Sequence, residues 1–403
     1  MKVKEKSVKK TAIVSCYNQQ NYGSVLQAYA TQMALDKMGY ENETINISGF
    51  NHELKKAKFL YFLRASLTSD ILLSKFGMAR TVFYKKFLKN EYAELSKIRF
   101  EKFVNFRKKW FKLSEIYASK EELRKTCNEK YSAVLVGSDQ LWLPANIAAD
   151  YYTLSFVPES VNSIAYATSF GQAELPKESR KKATQFLNKI RHIGVREQSG
   201  QMLVKKITSR NVPVVCDPTL LFDGEEWMHI QNSKPIVEEK YILCYFLGSN
   251  PPHREFAKRL KKATGYKIVA LIHLDEFIKT DENYADESPY DIDPSEFLNL
   301  IRNAEYVCTD SFHCTVFSIL FEKNFFTFRR YNRKTKQSTN SRLDTLFELT
   351  GIKNRLLTGN EEIEDCLKLE TNYTEVHNML KNVREKSYDY LKKSLENQNS
   401  TDL

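Results

Sequence analysis

Short apolar, β-branched runs alternate along this chain with amphipathic stretches at helical spacing, and this alternation constrains the fold more than any other feature. A strand, a covering helix and a second strand make a unit whose repetition builds a parallel sheet flanked by helices. Strands are expected at residues 12–16, 44–47, 133–137, 163–168, 192–195 and 212–216. Helices are expected at 24–38, stopped by Gly39, and at 177–189 and 198–206. After Asp223-Gly224 a polar stretch to Lys240 reads as a connection, and the alternation then restarts. Strands at 241–246, 267–271, 305–308 and 325–328 are separated by helices at 254–263, 294–303 and 313–321. A chain of 403 residues, 42% of them apolar, can bury two cores. The expected architecture is α/β, with domains at 1–225 and 236–403, a cleft between them and a helical tail on the second. Ligands of such sheets bind beyond the carboxyl ends of the strands.

The formal charge of +11 is local. Residues 53–112 hold sixteen Lys or Arg against five Asp or Glu, which is the whole surplus. Phe59, Phe62, Leu63, Leu67, Phe83, Phe87 and Leu88 recur there at helical spacing. The segment 51–120 therefore reads as a basic helical insertion on the first domain, suited to a membrane surface or an anionic substrate. A solvated helical excursion is the plainer alternative. No apolar run approaches the roughly 18 residues that span a bilayer. The seven cysteines are scattered without a C-x-x-C pair, which suits reduced thiols and a cytoplasmic location. The inner face of the cytoplasmic membrane is the expected docking place. The charge alone would fit nucleic acid, but no recognised motif for it is present.

Four junctions at strand ends are richer in polar and small residues than packing requires. Tyr17 to Ser24 follows the first strand. A helix beginning there offers free N–H groups and partial positive charge to an anion or sugar hydroxyls. Gly23 would let the chain approach a ligand closely, while capping by Asn21 or Ser24 is the alternative. The spacing is not G-x-G-x-x-G, so no dinucleotide site is expected. At the second junction, Val136 to Trp142, Asp139 either accepts from sugar hydroxyls beside a stacking Trp142 or caps the next turn. At the third, Gly194 to Glu197, Arg196 leaves a central strand and needs an anionic partner. That partner is a substrate carboxylate or phosphate, or else Glu197 or Asp217. The fourth, Glu305 to Phe317, ends its strand in Thr309-Asp310-Ser311 and opens its helix with His313. Histidine gives and takes a proton near neutrality. Asp310 is placed to orient it, and Thr309, Ser311 and the amides of Cys314 and Thr315 suit phosphate oxygens. No cluster has metal-ligand spacing, so no metal is expected.

Taken together, the segments NYGSVLQAYA (21–30), VGSDQLW (136–142), YATSFG (166–171), GVREQSG (194–200), CDPTLL (216–221), DPSEFLNLIRNAEYVCTDSFHCTVFSILFEKNFF (293–326) and SRLDTLFELTGI (341–352) resemble the polysaccharide pyruvyl transferase family. The resemblance implies two Rossmann-like domains facing a central cleft, similar to the GT-B glycosyltransferase fold. It implies phosphoenolpyruvate as donor substrate, no cofactor, and a saccharide acceptor of the cell surface or its lipid-linked precursor. A pyruvate ketal across two sugar hydroxyls, and phosphate, would be the products. His313 would be the acid/base, with Asp310 beside it and Arg196 as the donor cation. Asn21, Tyr22, Gly23, Ser138, Asp139, Gly171, Thr309, Ser311, Cys314, Thr315, Ser341 and Arg342 would contact substrate. Some family members carry Arg-Leu-His where this chain has Ser311-Phe312-His313, which leaves Arg196 or Arg342 to supply that charge. Cys314 follows the histidine at a helix amino terminus, a place that lowers a thiol pKa. A glycosyltransferase using a nucleotide sugar is the competing expectation, because the fold alone does not separate the two.

Overall fold

The computed structural model describes residues 9–65, 90–272, 278–330 and 341–396. Leu67, Phe83, Phe87 and Leu88 of the basic insertion lie outside them. Two parallel sheets carry the chain. The first comprises β1 (Lys10–Val14), β2 (Asn42–Asn46), β3 (Leu113–Ile116), β4 (Tyr131–Val136), β5 (Asn162–Thr168) and β6 (His192–Val195), in the order β3-β2-β1-β4-β5-β6. The second comprises β7 (Tyr241–Tyr245), β8 (Lys267–Ala270), β9 (Tyr306–Thr309), β10 (Asn324–Phe328) and β11 (Leu356–Leu357), in the order β11-β10-β9-β7-β8. Every ladder is parallel. Helices cover both faces, so the central strands are apolar almost throughout: Ala12, Ile13 and Val14 of β1 and Val134, Leu135 and Val136 of β4 are fully buried.

The helices are α1 (Tyr22–Lys37), α2 (Asn51–Ala65), α3 (Asn90–Trp110), α4 (Lys120–Lys130), α5 (Pro144–Ala149), α6 (Lys177–Lys189), α7 (Gln198–Thr208), α8 (Pro251–Thr264), α9 (Pro294–Asn303), α10 (Phe312–Leu320), α11 (Ser341–Thr350), α12 (Ile363–Leu367) and α13 (Tyr373–Glu396). Strand order reverses between β1 and β4 and again between β7 and β9. Loops leaving such neighbours diverge and open a crevice. Here α1 follows β1 and α10 follows β9, so both crevices carry helix amino termini.

The strand expected at 212–216 does not form. Pro213 has no N–H to give a ladder, and the segment makes one bridge, between Val195 and Val214. Its continuation is a 3₁₀ turn, Pro218–Leu221, which Asp217 caps by accepting from Thr219 N.

The two halves share an apolar seam. α1 lies between the sheets, buried along most of its length, and touches both α9 and α10. Tyr22 at its start stacks on Phe297 of α9, centroids 4.5 Å apart and rings 7° from parallel. Its hydroxyl donates to Ile292 O at 3.0 Å. The second insertion helix, α3, reinforces the seam rather than standing off in solvent. Arg99 is buried and its guanidinium donates to the carbonyls of Ile272, Pro289 and Tyr290. Lys102 pairs with Glu296 at 2.9 Å. The last helix, α13, returns to the first sheet, where Tyr390 donates to Ala165 O and Ser394 O accepts from Asn162. Tyr22→Ala should therefore cost about 3–5 kcal/mol, the usual price of truncating a core aromatic. Denaturant unfolding followed by tryptophan fluorescence checks this.

Candidate functional site

The β1 and β9 crevices face one another and enclose a cleft of about 370 Å³ lined from both halves, with Asn21, Ser24 and Asp139 on one side and Ser311, His313, Arg330 and Arg342 on the other. His313 sits in the first turn of α10, whose amino terminus Ser311 caps by accepting from Cys314 N. Its imidazole reaches across to α1. A Cβ on Gly23 would lie 2.2 Å from His313 Nδ1, so the glycine is required by the histidine ring and not by a ligand.

The other edge of the ring is met by a carboxylate. His313 Nε2 stands 3.4 Å from Asp217 Oδ2 without an aligned hydrogen bond. Asp217 is fully enclosed and saturated: Oδ2 accepts from Arg196 Nη1 at 2.8 Å and Ser138 Oγ at 2.8 Å, and Oδ1 accepts from Thr219 N and Oγ1. Burial opposes its charge, yet His313, Arg196 and Thr219 hold its carboxyl well below the usual carboxylate range.

Arg196, the first residue beyond β6, is 2% exposed. Burial works against its charge, but Asp217, Glu197 and Asp139 raise its pKa in net. Its guanidinium lies over the Phe312 ring at 4.7 Å. With three carboxylates around it and no place among the residues that line the cleft, Arg196 is a charge beneath the floor.

Asp139 is the carboxylate on the first-half wall. Its backbone φ of 83° lies in the left-handed region, a strained setting for a non-glycine residue and one that clusters at ligand sites. Oδ2 accepts from Ser24 Oγ at 2.5 Å and Cys16 Sγ at 3.6 Å, and Oδ1 from Gln140 N at 2.8 Å. Although burial disfavours its charge, Arg196, His313 and Ser24 keep its pKa lowered.

The opposite wall is cationic. Burial and the nearby Arg196 pull Arg342 down to about 10, with Arg330 adding to the effect. An anion bound between Arg330 and Arg342 would relieve that cost for Arg342. Arg330 leaves the end of β10 and donates to Asp310 O at 3.0 Å, while its buried Nε has no hydrogen-bond partner among the described residues.

The expected residues thus divide. Asn21, Asp139, Ser311, His313 and Arg342 line the cleft. Asp310 does not orient His313: its carboxylate accepts from Leu247 N at 2.7 Å and Gly248 N at 2.8 Å, bracing the next loop, and Asp217 takes the place beside the imidazole. Thr309 and Thr315 spend their hydroxyls on Tyr245 O and Ser311 O. Tyr22 belongs to the seam, and Ser138 to the network under the floor. Gly171 has a φ of 65° and packs against Gln140. Ser341 Oγ accepts from Ser199 Oγ at 3.1 Å. Trp142 is fully buried and donates to Tyr152 O, so it offers no platform to a sugar. Burial drives the Cys314 thiol up to about 12, outweighing the helix terminus. Arg330 and Lys58 were not anticipated. Arg330 carried one signal, its position just past an apolar strand.

The Asp217 network carries a pH signature. Its folded pKa is depressed, so its contribution is complete above the unfolded carboxylate value of about 4 and is lost as pH falls below it. Thermal unfolding between pH 7 and pH 3 should show a steep acid loss in the native chain. Asp217→Asn should flatten that loss while costing about 3–5 kcal/mol at pH 7, because Arg196 then stays buried without its partner.

A family profile described as polysaccharide pyruvyl transferase matches residues 21–331. No curated protein sequence matches. Among solved structures, a UDP-N-acetylglucosamine 2-epimerase is 12% identical over 96% of this chain and 96% of its own, with a TM-score of 0.51. The UDP-GlcNAc 2-epimerase of Methanocaldococcus jannaschii in complex with UDP-GlcNAc and UDP is 14% identical over 94% of this chain and 100% of its own, with a TM-score of 0.45. The heptosyltransferase of E. coli with ADP-2-deoxy-2-fluoro heptose is 12% identical over 84% and 99%, with a TM-score of 0.37. At 12% identity the likeness to the first of these concerns the fold alone, the GT-B arrangement of two facing parallel-sheet domains. The profile spans both the α1 and the α10 segments that meet in the cleft, and the chain belongs to the polysaccharide pyruvyl transferase family.

Proposed function

We propose that this protein moves the pyruvyl group of phosphoenolpyruvate onto two hydroxyls of a saccharide, forming a ketal and releasing phosphate. The observation that carries this reading, in a member of this family, is the cleft wall on which His313, Arg330 and Arg342 stand together. Phosphoenolpyruvate brings a carboxylate and a phosphate, and paired arginines with a helix amino terminus match both. Arg330 fills the charge that Ser311 leaves out. The second half, 236–403, is then the donor side and the first, 1–225, the acceptor side, with Asp139 and Asn21 toward the sugar hydroxyls.

In this scheme His313 gives a proton to the methylene carbon of the enol, and positive charge develops at C2. A sugar hydroxyl attacks C2 and loses its proton. The C2–O bond to phosphate breaks, phosphate departs with the electron pair, and a second hydroxyl closes the ketal as its proton leaves. Asp217 presents its charge to the imidazole edge, while Arg196 keeps Asp217 ionised. Phosphoenolpyruvate and inorganic phosphate should each raise the melting temperature, whereas UDP should not. Stabilisation by UDP alone would move the protein to the nucleotide-sugar reading. Arg330→Ala should weaken phosphoenolpyruvate binding ~10- to 100-fold, the loss of one charged hydrogen-bonded contact. His313→Ala should lower phosphate release by ~10²–10⁴ with donor binding retained.

The same reading places the acceptor at a membrane face. Phe59, Leu60 and Leu63 of α2 are 63%, 41% and 52% exposed beside Lys55, Lys56 and Arg64. Apolar and basic side chains in that company suit an anionic bilayer surface. No described helix is long and apolar enough to cross one. Sedimentation with phosphatidylglycerol vesicles should fall sharply in Phe59→Glu/Leu63→Glu, and undiminished binding would remove α2 from that role.

A further inference from the structure

The basic insertion also enters the site. Lys58 and Phe62 lie four residues apart, hence on one face of α2, and both line the cleft. α2 is seated there by its packing on α5, the short helix that follows the Asp139 loop. The Lys58 ammonium is half-buried and lies 5.8 Å from the centre of the Tyr152 ring. Among the described residues it has no carboxylate partner: burial lowers its pKa, and the buried Cys16 thiol is its one opposing influence.

Its surroundings set it apart from the arginines. Arg330 and Arg342 belong to the second half, just beyond β10 and at the start of α11, whereas Lys58 stands on α2 of the first. The cleft therefore has two cationic poles, one of arginines on the second half and one of Lys58 on the first. A lysine drawn from water without a counter-charge is costly, and the cost is offset when an anion arrives. Phosphoenolpyruvate is matched by the first pole, which leaves the second for the other substrate.

We infer that Lys58 sets acceptor specificity by binding a negatively charged substituent of the saccharide, a phosphate ester or a uronate carboxylate, while Phe62 covers the apolar face of its ring. The identity of that ligand as an acceptor rests on the pyruvyl-transfer reading; the binding itself does not.

Calorimetric titration with glucose, glucuronate and glucose 1-phosphate tests it. The native chain should bind at least one charged sugar roughly tenfold or more tightly than glucose, as one charge-assisted hydrogen bond provides. Tighter binding of glucose 1-phosphate alone identifies a phosphate ester, and of glucuronate alone a carboxylate. Lys58→Ala should erase the preference and leave phosphoenolpyruvate affinity unchanged, Lys58→Arg should keep it, and Arg330→Ala should weaken phosphoenolpyruvate but retain it. Equal binding of charged and neutral sugars by the native chain, or a preference that survives Lys58→Ala, overturns the inference. Phosphate release from phosphoenolpyruvate with the same sugars is scored separately. Its absence throughout would sink pyruvyl transfer while the titrations still decide the role of Lys58.

Discussion

The Arg196–Asp217 pair, closed off from water at 2.8 Å, is the interaction on which the site depends. Neither charge is tolerable alone at that depth. Together they join the end of β6 to the 3₁₀ turn after it, and the shared carboxylate oxygen then faces His313 from the other half of the molecule. A first-domain ion pair thus stands against a second-domain imidazole. This arrangement exists only when the two halves are docked.

Docking is maintained by packing around α1. Tyr22 stacks on α9, and the next residue, Gly23, yields its side-chain volume to His313. Adjacent residues thus serve opposite needs, one filling the seam and the other leaving room for the His313 ring. Arg99 of α3 locks the same seam by satisfying three carbonyls of the second half. Removing the insertion would open the interface as well as strip charge, so its role cannot be read from charge alone.

The cleft is electrostatically divided. Arg330 and Arg342 on one wall, Asp139 on the other and Lys58 at the insertion give a small space several charges at separate places. Groups of different charge can therefore be held there in one relative orientation. The strained backbone at Asp139 fits this picture, since a relaxed loop would aim its carboxylate elsewhere.

Much of this was legible in the sequence. Alternating periodicity determines the two α/β halves, because a strand buried on both faces must be apolar and its covering helix amphipathic. The order of motifs determines the family, and the place of His313 at the mouth of α10 follows from the strand that precedes it. Partnership was legible only in part: Asp217 is among the partners expected for Arg196, yet nothing local points it at His313. Asp310 is nearest in sequence to His313, yet Asp217, nearly a hundred residues earlier, lies against its ring, because only the docking of two sheets brings those loops together. For the same reason burial silenced Cys314, Thr309 and Ser138, while Arg330 and Lys58 became cleft residues. Local pattern specifies elements and their ends; which ends meet, and which charges stay wet, was decided by the tertiary structure.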